Sequence, residues 1–175
     1  DVAAVLADVT TALVEDIRKK VKSRKLATAK PNPAAVRTLA VSSRILGQAH
    51  RALEDALSGA YTKASREAVK ELRRARQDMR LSAEPEEFAA GLFGTRAKAF
   101  FKNKAFFITD VLAETVLQRA KQKLLNALKQ DKTERQILFE LDEVLTPYLP
   151  ERDAAGKIVN VPARLEVIAR TNIAE

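Results

Sequence analysis

The stretch from Ala105 to Gln130 does most to limit what this chain can become. Val111, Leu112, Val116, Leu117, Ala120, Leu124 and Leu128 recur at three- and four-residue intervals, which predicts a helix over 105–130 with a broad apolar face. A face that wide has to be covered by other secondary structure. Sheet is hard to find for the purpose. Lys157-Ile-Val-Asn-Val161 is the one credible strand, and it is too short to make a sheet by itself. Asp131-Lys132 breaks the long helix. Thr133-Glu-Arg-Gln136 then has the form of a capping box, in which the Thr133 side chain binds the Gln136 amide and Gln136 reaches back. The helix it opens is expected to bury Ile137, Leu138, Leu141 and Leu145 and to end at Pro147 and Pro150. Asp153-Ala-Ala-Gly156 reads as a turn, so 157–161 is expected as a short hairpin or an extended connector. The expected class is mainly all-α.

The first half shows the same period with thinner stripes. Residues 2–26 read as a helix whose Leu6, Val9, Leu13, Ile17 and Val21 form a narrow apolar line. So narrow a line predicts packing on another helix, one from a partner protein included. Thr28-Ala-Lys-Pro-Asn-Pro33 breaks this segment, and Asn32-Pro33 reads as a cap followed by a first-turn proline. A second helix is expected from there to about Ser58, with Gly59 as its stop and Val36, Leu39, Leu46, Leu53 and Leu57 inward. His50 falls on that inward side, where a lone histidine reads as a packed, hydrogen-bonded residue before it reads as a catalyst. Tyr61, Ala68, Leu72, Ala75 and Met79 make a further narrow stripe over 61–81. The character changes at Ser82-Ala-Glu-Pro85, where Glu84, Glu86 and Glu87 around a proline mark a helix start before Phe88, Leu92 and Phe93. A chain of 175 residues is long enough to bury a core. The expected organisation is a basic helical arm or hairpin over residues 1–83 and a compact helical domain over 84–175, with at most a short β-hairpin near 157–161.

The formal net charge is +8, and its placement matters more than its size. Seventeen Lys and Arg face nine acids over residues 1–83, while residues 84–175 carry fourteen of each. Lys19, Lys20, Lys22, Arg24 and Lys25 put five cations into seven residues. Such density favours a polyanion and predicts weak, sequence-independent DNA binding. Cations in a last helical turn also complement the helix dipole, which is the plainer explanation. Arg37, Arg44 and Arg51, seven apart, read as a solvated ladder that can also track phosphates. Phe100, Phe101, Phe106 and Phe107 are interrupted by Lys98, Lys102 and Lys104. Aromatics among lysines can stack bases, but the paired rings read more economically as core.

Catalytic chemistry finds no foothold. The chain has no Cys, no Trp and one His, which removes thiolate chemistry and leaves a zinc site with carboxylates almost alone. Gly91 and Gly94 lack the Lys-Ser/Thr of a phosphate loop. The carboxylates of Glu86/Glu87 and Asp142/Glu143 are neighbours on a helix and point about 100° apart, which does not make an acid–base pair. No catalytic residue, metal or cofactor is expected, and no apolar run approaches the roughly 18 residues that span a bilayer. The chain begins at Asp1 and reads as a piece of a longer or processed protein.

The last twelve residues, Arg164 to Glu175, read as one amphipathic helix with Leu165, Ile168, Ala169 and Asn172 on a side, opened near Pro162. Over about 105–175, the long helix, the capped helix with Ile137 and Leu141, the linker and then Arg164…Ile168-Ala-Arg-Thr171 resemble the phage Mu F-like head morphogenesis family. Two positions depart from that pattern: Asp131-Lys132 stands where family members commonly carry Gly, and Asn172 where they commonly carry Glu. The resemblance implies a non-catalytic minor head protein. Its partners would be the portal and capsid or scaffolding protein, with packaged DNA nearby. It would sit in multiple copies in the phage head, and in host cytoplasm during assembly, aiding assembly, packaging or ejection. Arg164, Glu166, Ile168, Arg170 and Thr171 would be structural residues of the signature. Two other readings of the residues stand beside this one: a cellular, non-sequence-specific nucleic-acid-binding module, and the non-catalytic delivery part of a larger toxin.

Overall fold

The computed structural model describes residues 2–27, 32–79, 95–130, 132–163, 165 and 167. They form α1 (Val2–Ser23), α2 (Pro33–Arg37), α3 (Ser43–Met79), α4 (Thr95–Leu128) and α5 (Glu134–Leu145). A 3-10 turn over Thr146–Tyr148 and a two-stranded antiparallel hairpin of β1 (Glu151–Arg152) and β2 (Ile158–Asn160) follow. Ala163, Leu165 and Val167 are again helical. The protein is mainly α-helical, as its periodicity requires.

α1 is the first correction. Leu6, Val9, Leu13, Ile17 and Val21, expected at a partner interface, are buried inside this chain. Their line is not narrow, because Val2, Ala7, Thr10 and Val14 are buried beside them and widen it. Thr10 can lie in that face because its hydroxyl donates to the Leu6 carbonyl at 2.6 Å, leaving no unpaired polar group. α1 packs on α3, α4 and the 3-10 turn, so it is a central helix and not an arm. It ends earlier than its pattern suggests. The Leu26 amide donates to the Val21 carbonyl (2.9 Å) and the Lys25 amide to the Lys22 carbonyl (3.1 Å). These are the two bonds of a Schellman turn, with Leu26 and Val21 both buried. The turn puts Lys25 at φ 49°, a left-handed position usually held by Gly.

Asn32 caps α2 as expected, accepting from the Ala34 amide at 2.9 Å with Pro33 in the first turn. The helix then stops after five residues, where one continuous helix to Ser58 was expected. A contact distant in sequence holds the interruption. Asp16 of α1 accepts from the Ser42 amide (2.8 Å) and the Ser42 hydroxyl (2.6 Å), while Lys20 donates to the Ala40 carbonyl (2.6 Å). Val36 and Leu39 on either side are fully buried. α3 then starts at Ser43 and runs through Gly59 to Met79. Gly59 does not end it: tertiary contacts at Leu57 and Ser65 on either side hold the helix against the roughly 1 kcal/mol that a helical Gly costs.

α3 and α4 run antiparallel and pack on each other. His50 meets Phe106 and Asp110, and Tyr61 meets Phe101. The core uses Ala49, Leu53 and Leu57 of α3, and Ala105, Ile108, Leu112, Val116, Ala120 and Leu124 of α4. Among the described residues beyond Leu57 in α3 and before Ala105 in α4, only Ser65 is buried. The two helices therefore extend past the core as a two-helix hairpin, with the 22 positions after Leu57 spanning about 33 Å. The expected stripe of Tyr61, Ala68 and Leu72 turns inward only at Tyr61. Ala68 and Leu72 are exposed, and the side chains of Ala75 and Met79 lie outside the described residues.

One core joins what were expected as two units, running from Val2 to Leu165. α5 is built as its sequence reads. The Gln136 amide donates to Thr133 Oγ1, the Thr133 amide donates to Gln136 Oε1 at 3.0 Å, and Ile137, Leu141 and Leu145 are buried. The β-hairpin turns at Asp153, whose carboxylate accepts from the Ala155 and Lys157 amides (3.0 and 2.8 Å), and at Gly156, where φ is 79°. Arg152 ties the hairpin to α1 through Asp8 at 2.5 Å. No helix of the described residues is long and apolar enough to cross a membrane.

Candidate nucleic-acid interface

The five-cation cluster is not one surface. It comprises the last turns of α1 and the Schellman turn, where positive charge complements the negative end of the helix dipole. Lys19, Lys22, Arg24 and Lys25 are exposed. Lys20 is committed elsewhere, to Asp16 at 3.2 Å and to the Ala40 carbonyl. Burial works against charge on Asp16, but the side-chain and backbone hydrogen bonds from Ser42, and then Lys20, outweigh it and hold its carboxyl below the ordinary value of 3.8. Lys20 is thus a structural residue of the α1–linker contact, unlike its four exposed neighbours.

A larger positive surface lies on the projecting hairpin. Over residues 58–74 of α3 and 97–107 of α4, Lys63, Arg66, Lys70, Arg73, Arg74, Lys98, Lys102 and Lys104 face only two acids, Glu67 and Glu71. The fold brings lysines of the neutral second half against the basic end of the first. The Phe100–Phe101 doublet splits between two environments, because adjacent helical residues point about 100° apart, whereas Phe106 and Phe107 are both exposed. Phe101 packs inward on Tyr61 with ring centroids 5.0 Å apart, and Phe106 lies on His50 at 4.0 Å. Phe100, Phe106 and Phe107 are 47%, 41% and 58% exposed, which corrects the expectation that all four rings centre the core. Lys104 sits over the Phe100 ring at 5.8 Å. Val111, expected inward, shares this outer face.

The described residues also enclose a cleft between α2 and the C-terminal half of α4, of about 840 Å³. Arg37, Lys121 and Lys129 line it with Gln118, Gln122, Asn126, Pro33 and Leu125. Among the described residues no carboxylate lines it. The seven-residue Arg ladder does not survive, since Arg37 lies in α2 and Arg44 and Arg51 in α3, with the pinned break between them. Sequence reading missed Lys121 and Lys129. The available signal was the run from Thr115 to Gln130, which contains no acid.

Elsewhere the ion pairs are structural. Arg18 reaches Asp142 of α5 at 2.8 Å. Lys132 hydrogen-bonds to Glu140, and Lys123 approaches it at 3.4 Å. The Lys132 bond, set against burial and helped by Lys123, holds the Glu140 carboxyl below its ordinary value. His50 is packed and hydrogen-bonded as expected, its Nε2 3.2 Å from Asp110 Oδ1. Among the described residues no group of three or more His, Cys, Asp or Glu is placed to hold a metal ion. Of the C-terminal signature, Arg164, Glu166, Ile168, Arg170 and Thr171 lie outside the described residues, while Leu165 beside them is fully buried. Comparison with protein-family models, curated proteins and solved structures finds no match to this chain.

Proposed function

We propose that this chain is a non-catalytic structural and interaction protein of a phage particle, a minor head protein that binds the portal or the capsid interior and assists head assembly, DNA packaging or ejection. The observation that carries the reading is the order of elements over 95–167. A long helix leads into a capping-box helix, then a Pro-bounded linker with a small hairpin, then helical positions at Ala163, Leu165 and Val167. That is the order in which the sequence resembles the Mu F-like pattern. The test is mass spectrometry of purified heads from producing cells, with the portal ring isolated in parallel. The chain should be present in several copies per particle and should co-elute with the ring. Its absence from both would remove the assignment.

A second reading, a non-sequence-specific nucleic-acid-binding module outside any particle, draws on the eight-to-two excess of cations on the projecting hairpin. Titration of labelled DNA at two salt concentrations separates it from a merely solvated surface, since backbone binding falls steeply as salt rises.

A further inference from the structure

We propose that the cleft between α2 and α4 is a phosphate-binding site, and that its ligand is a nucleic-acid backbone. The proposal rests on the second reading only in requiring that the protein bind nucleic acid; it does not require the projecting hairpin to be the contact surface.

Three cations converge on one concave surface. Arg37 comes from α2, Lys121 from α4, and Lys129 from the turn directly after α4, eight residues further along the chain. Among the described residues none of the three makes an ion pair. Lys123, on another side of the same helix, does have a carboxylate, that of Glu140. The fold thus neutralises the lysine that faces α5 and leaves uncompensated those that face the cleft. A concavity lined by one sign of charge over a low-dielectric wall focuses potential and concentrates counter-ions. Gln118, Gln122 and Asn126 add amide donors among the cations.

The wall that carries Arg37 is rigid for a reason visible in the chain. α2 is pinned by fully buried Val36 and Leu39, capped by Asn32, and held at its far end by the Asp16–Ser42 and Lys20–Ala40 bonds. Arg37 is an exposed residue on that anchored segment. A guanidinium on a fixed wall loses less freedom on binding phosphate than one on a mobile loop, and its planar fork suits phosphate oxygens. Among the described residues no aromatic ring lines the cleft, so they offer nothing to stack or read a base, and binding there would be sequence-independent. Two lysines set about two helical turns of chain apart suit a chain of phosphates better than a single one.

The experiment uses the whole chain with three probes: a labelled DNA duplex, inorganic polyphosphate and poly-glutamate, each titrated at several salt concentrations. A triple variant, Arg37→Gln, Lys121→Gln and Lys129→Gln, is compared with a control of equal charge change, Lys19→Gln, Lys22→Gln and Arg24→Gln. Circular dichroism melts verify that both remain folded. The cleft variant should lose about 2–3 from the log–log salt slope for duplex DNA, since each phosphate contact contributes roughly 0.9, and the control should lose less than about 1. Polyphosphate should compete with DNA, and poly-glutamate should not. DNA binding that persists in the cleft variant overturns the site while leaving the nucleic-acid reading intact. Equal losses in the two variants replace the cleft with diffuse charge. Displacement by poly-glutamate as effective as by polyphosphate makes the site an acceptor of acidic protein. No DNA binding by the unaltered protein ends both the inference and the reading beneath it. Polyphosphate bound far more tightly than DNA, through the same three residues, transfers the site to free polyphosphate and overturns the nucleic-acid assignment.

Discussion

α1 and the outer half of α3 are helices of the same length, each with a line of small and apolar residues read at helical spacing, yet one lies at the centre of the core and the other is exposed on most sides. The difference is in what flanks the line. In α1 the residues beside Leu6, Leu13 and Ile17 are Ala7, Thr10 and Val14, which are uncharged and small enough to be covered, so α3, α4 and the 3-10 turn close over it. In α3 the residues around Ala68 and Leu72 are Arg66, Glu67, Lys70, Glu71, Arg73 and Arg74, which keep the helix solvated. Amphipathic spacing places a helix on a surface. The width of its uncharged sector decides whether it enters the core. The comparison also divides labour: the buried region fixes geometry, and the projecting hairpin carries exposed charge and three exposed phenylalanines.

The largest effect that could break this comparison is Ile17→Asp. A carboxylate placed at a fully buried, unpartnered site should cost more than about 4 kcal/mol, enough to unfold a domain of ordinary stability. The whole chain should lose its cooperative urea transition, with residues 105–163 unfolding together with α1. Retention of a folded second half would show that α1 is dispensable and that the two-unit organisation expected from the sequence was right.

Asp16→Asn is next. It removes the charged acceptor that holds Ser42 and Lys20, and should cost about 1–3 kcal/mol. The sign of its pH dependence follows from the lowered carboxyl. The stabilisation is fully present above the unfolded value near 3.8 and is lost as pH falls through the lower folded value. Urea midpoints measured from pH 6 downward should therefore fall more steeply below about pH 4 in the natural sequence than in the variant. Parallel curves would mean that Asp16 does not carry the linker. Because the linker anchors α2, the same variant should loosen the wall of the Arg37 cleft.

These contacts also mark the limit of what the sequence discloses. The Thr133 capping box, the Asn32-Pro33 start and the Asp153–Gly156 turn are legible because each is closed by residues within four positions of one another. The break between α2 and α3 is not, because Ser42 is held by Asp16, 26 positions away. Lys20 resembles its exposed neighbours until Ala40 is brought beside it. The Phe100–Phe101 doublet was ambiguous for a related reason: spacing says that two adjacent rings diverge, but only the position of α3 says which of the two is covered. Of the candidate site, the basic character of the first half was readable, whereas the meeting of Arg37 with Lys121 and Lys129 depends on tertiary packing across more than 80 positions.

Lys25→Gly should have a smaller effect of opposite sign. The Schellman turn holds Lys25 at φ 49°, where a side chain costs about 1–2 kcal/mol that Gly does not incur. The greater freedom of Gly in the unfolded chain returns roughly half of that. A net gain of about 0.5 kcal/mol is expected from denaturant melts, together with the loss of one exposed cation. A loss of stability would mean that the Lys25 side chain contributes more than its backbone costs.

Ala68→Glu should have the smallest effect and tests the other side of the comparison. Ala68 belongs to the stripe that the sequence presents as a pairing seam, but it is exposed. Glu is a good helix former, and Glu71 at i+3 opposes it by only a few tenths of a kcal/mol, so equilibrium stability should change by no more than about 0.5 kcal/mol. Hydrogen exchange supplies the independent measurement. With little buried apolar surface beyond Leu57, amides of α3 in that half should exchange through local opening, at lower free energy than those of α1 around Leu13. If Ala68→Glu costs more than 1 kcal/mol, or the outer amides of α3 are protected to the level of α1, then this stripe is covered in solution. The contrast between a buried α1 and a solvated hairpin would then have to be redrawn as two helices buried by different partners.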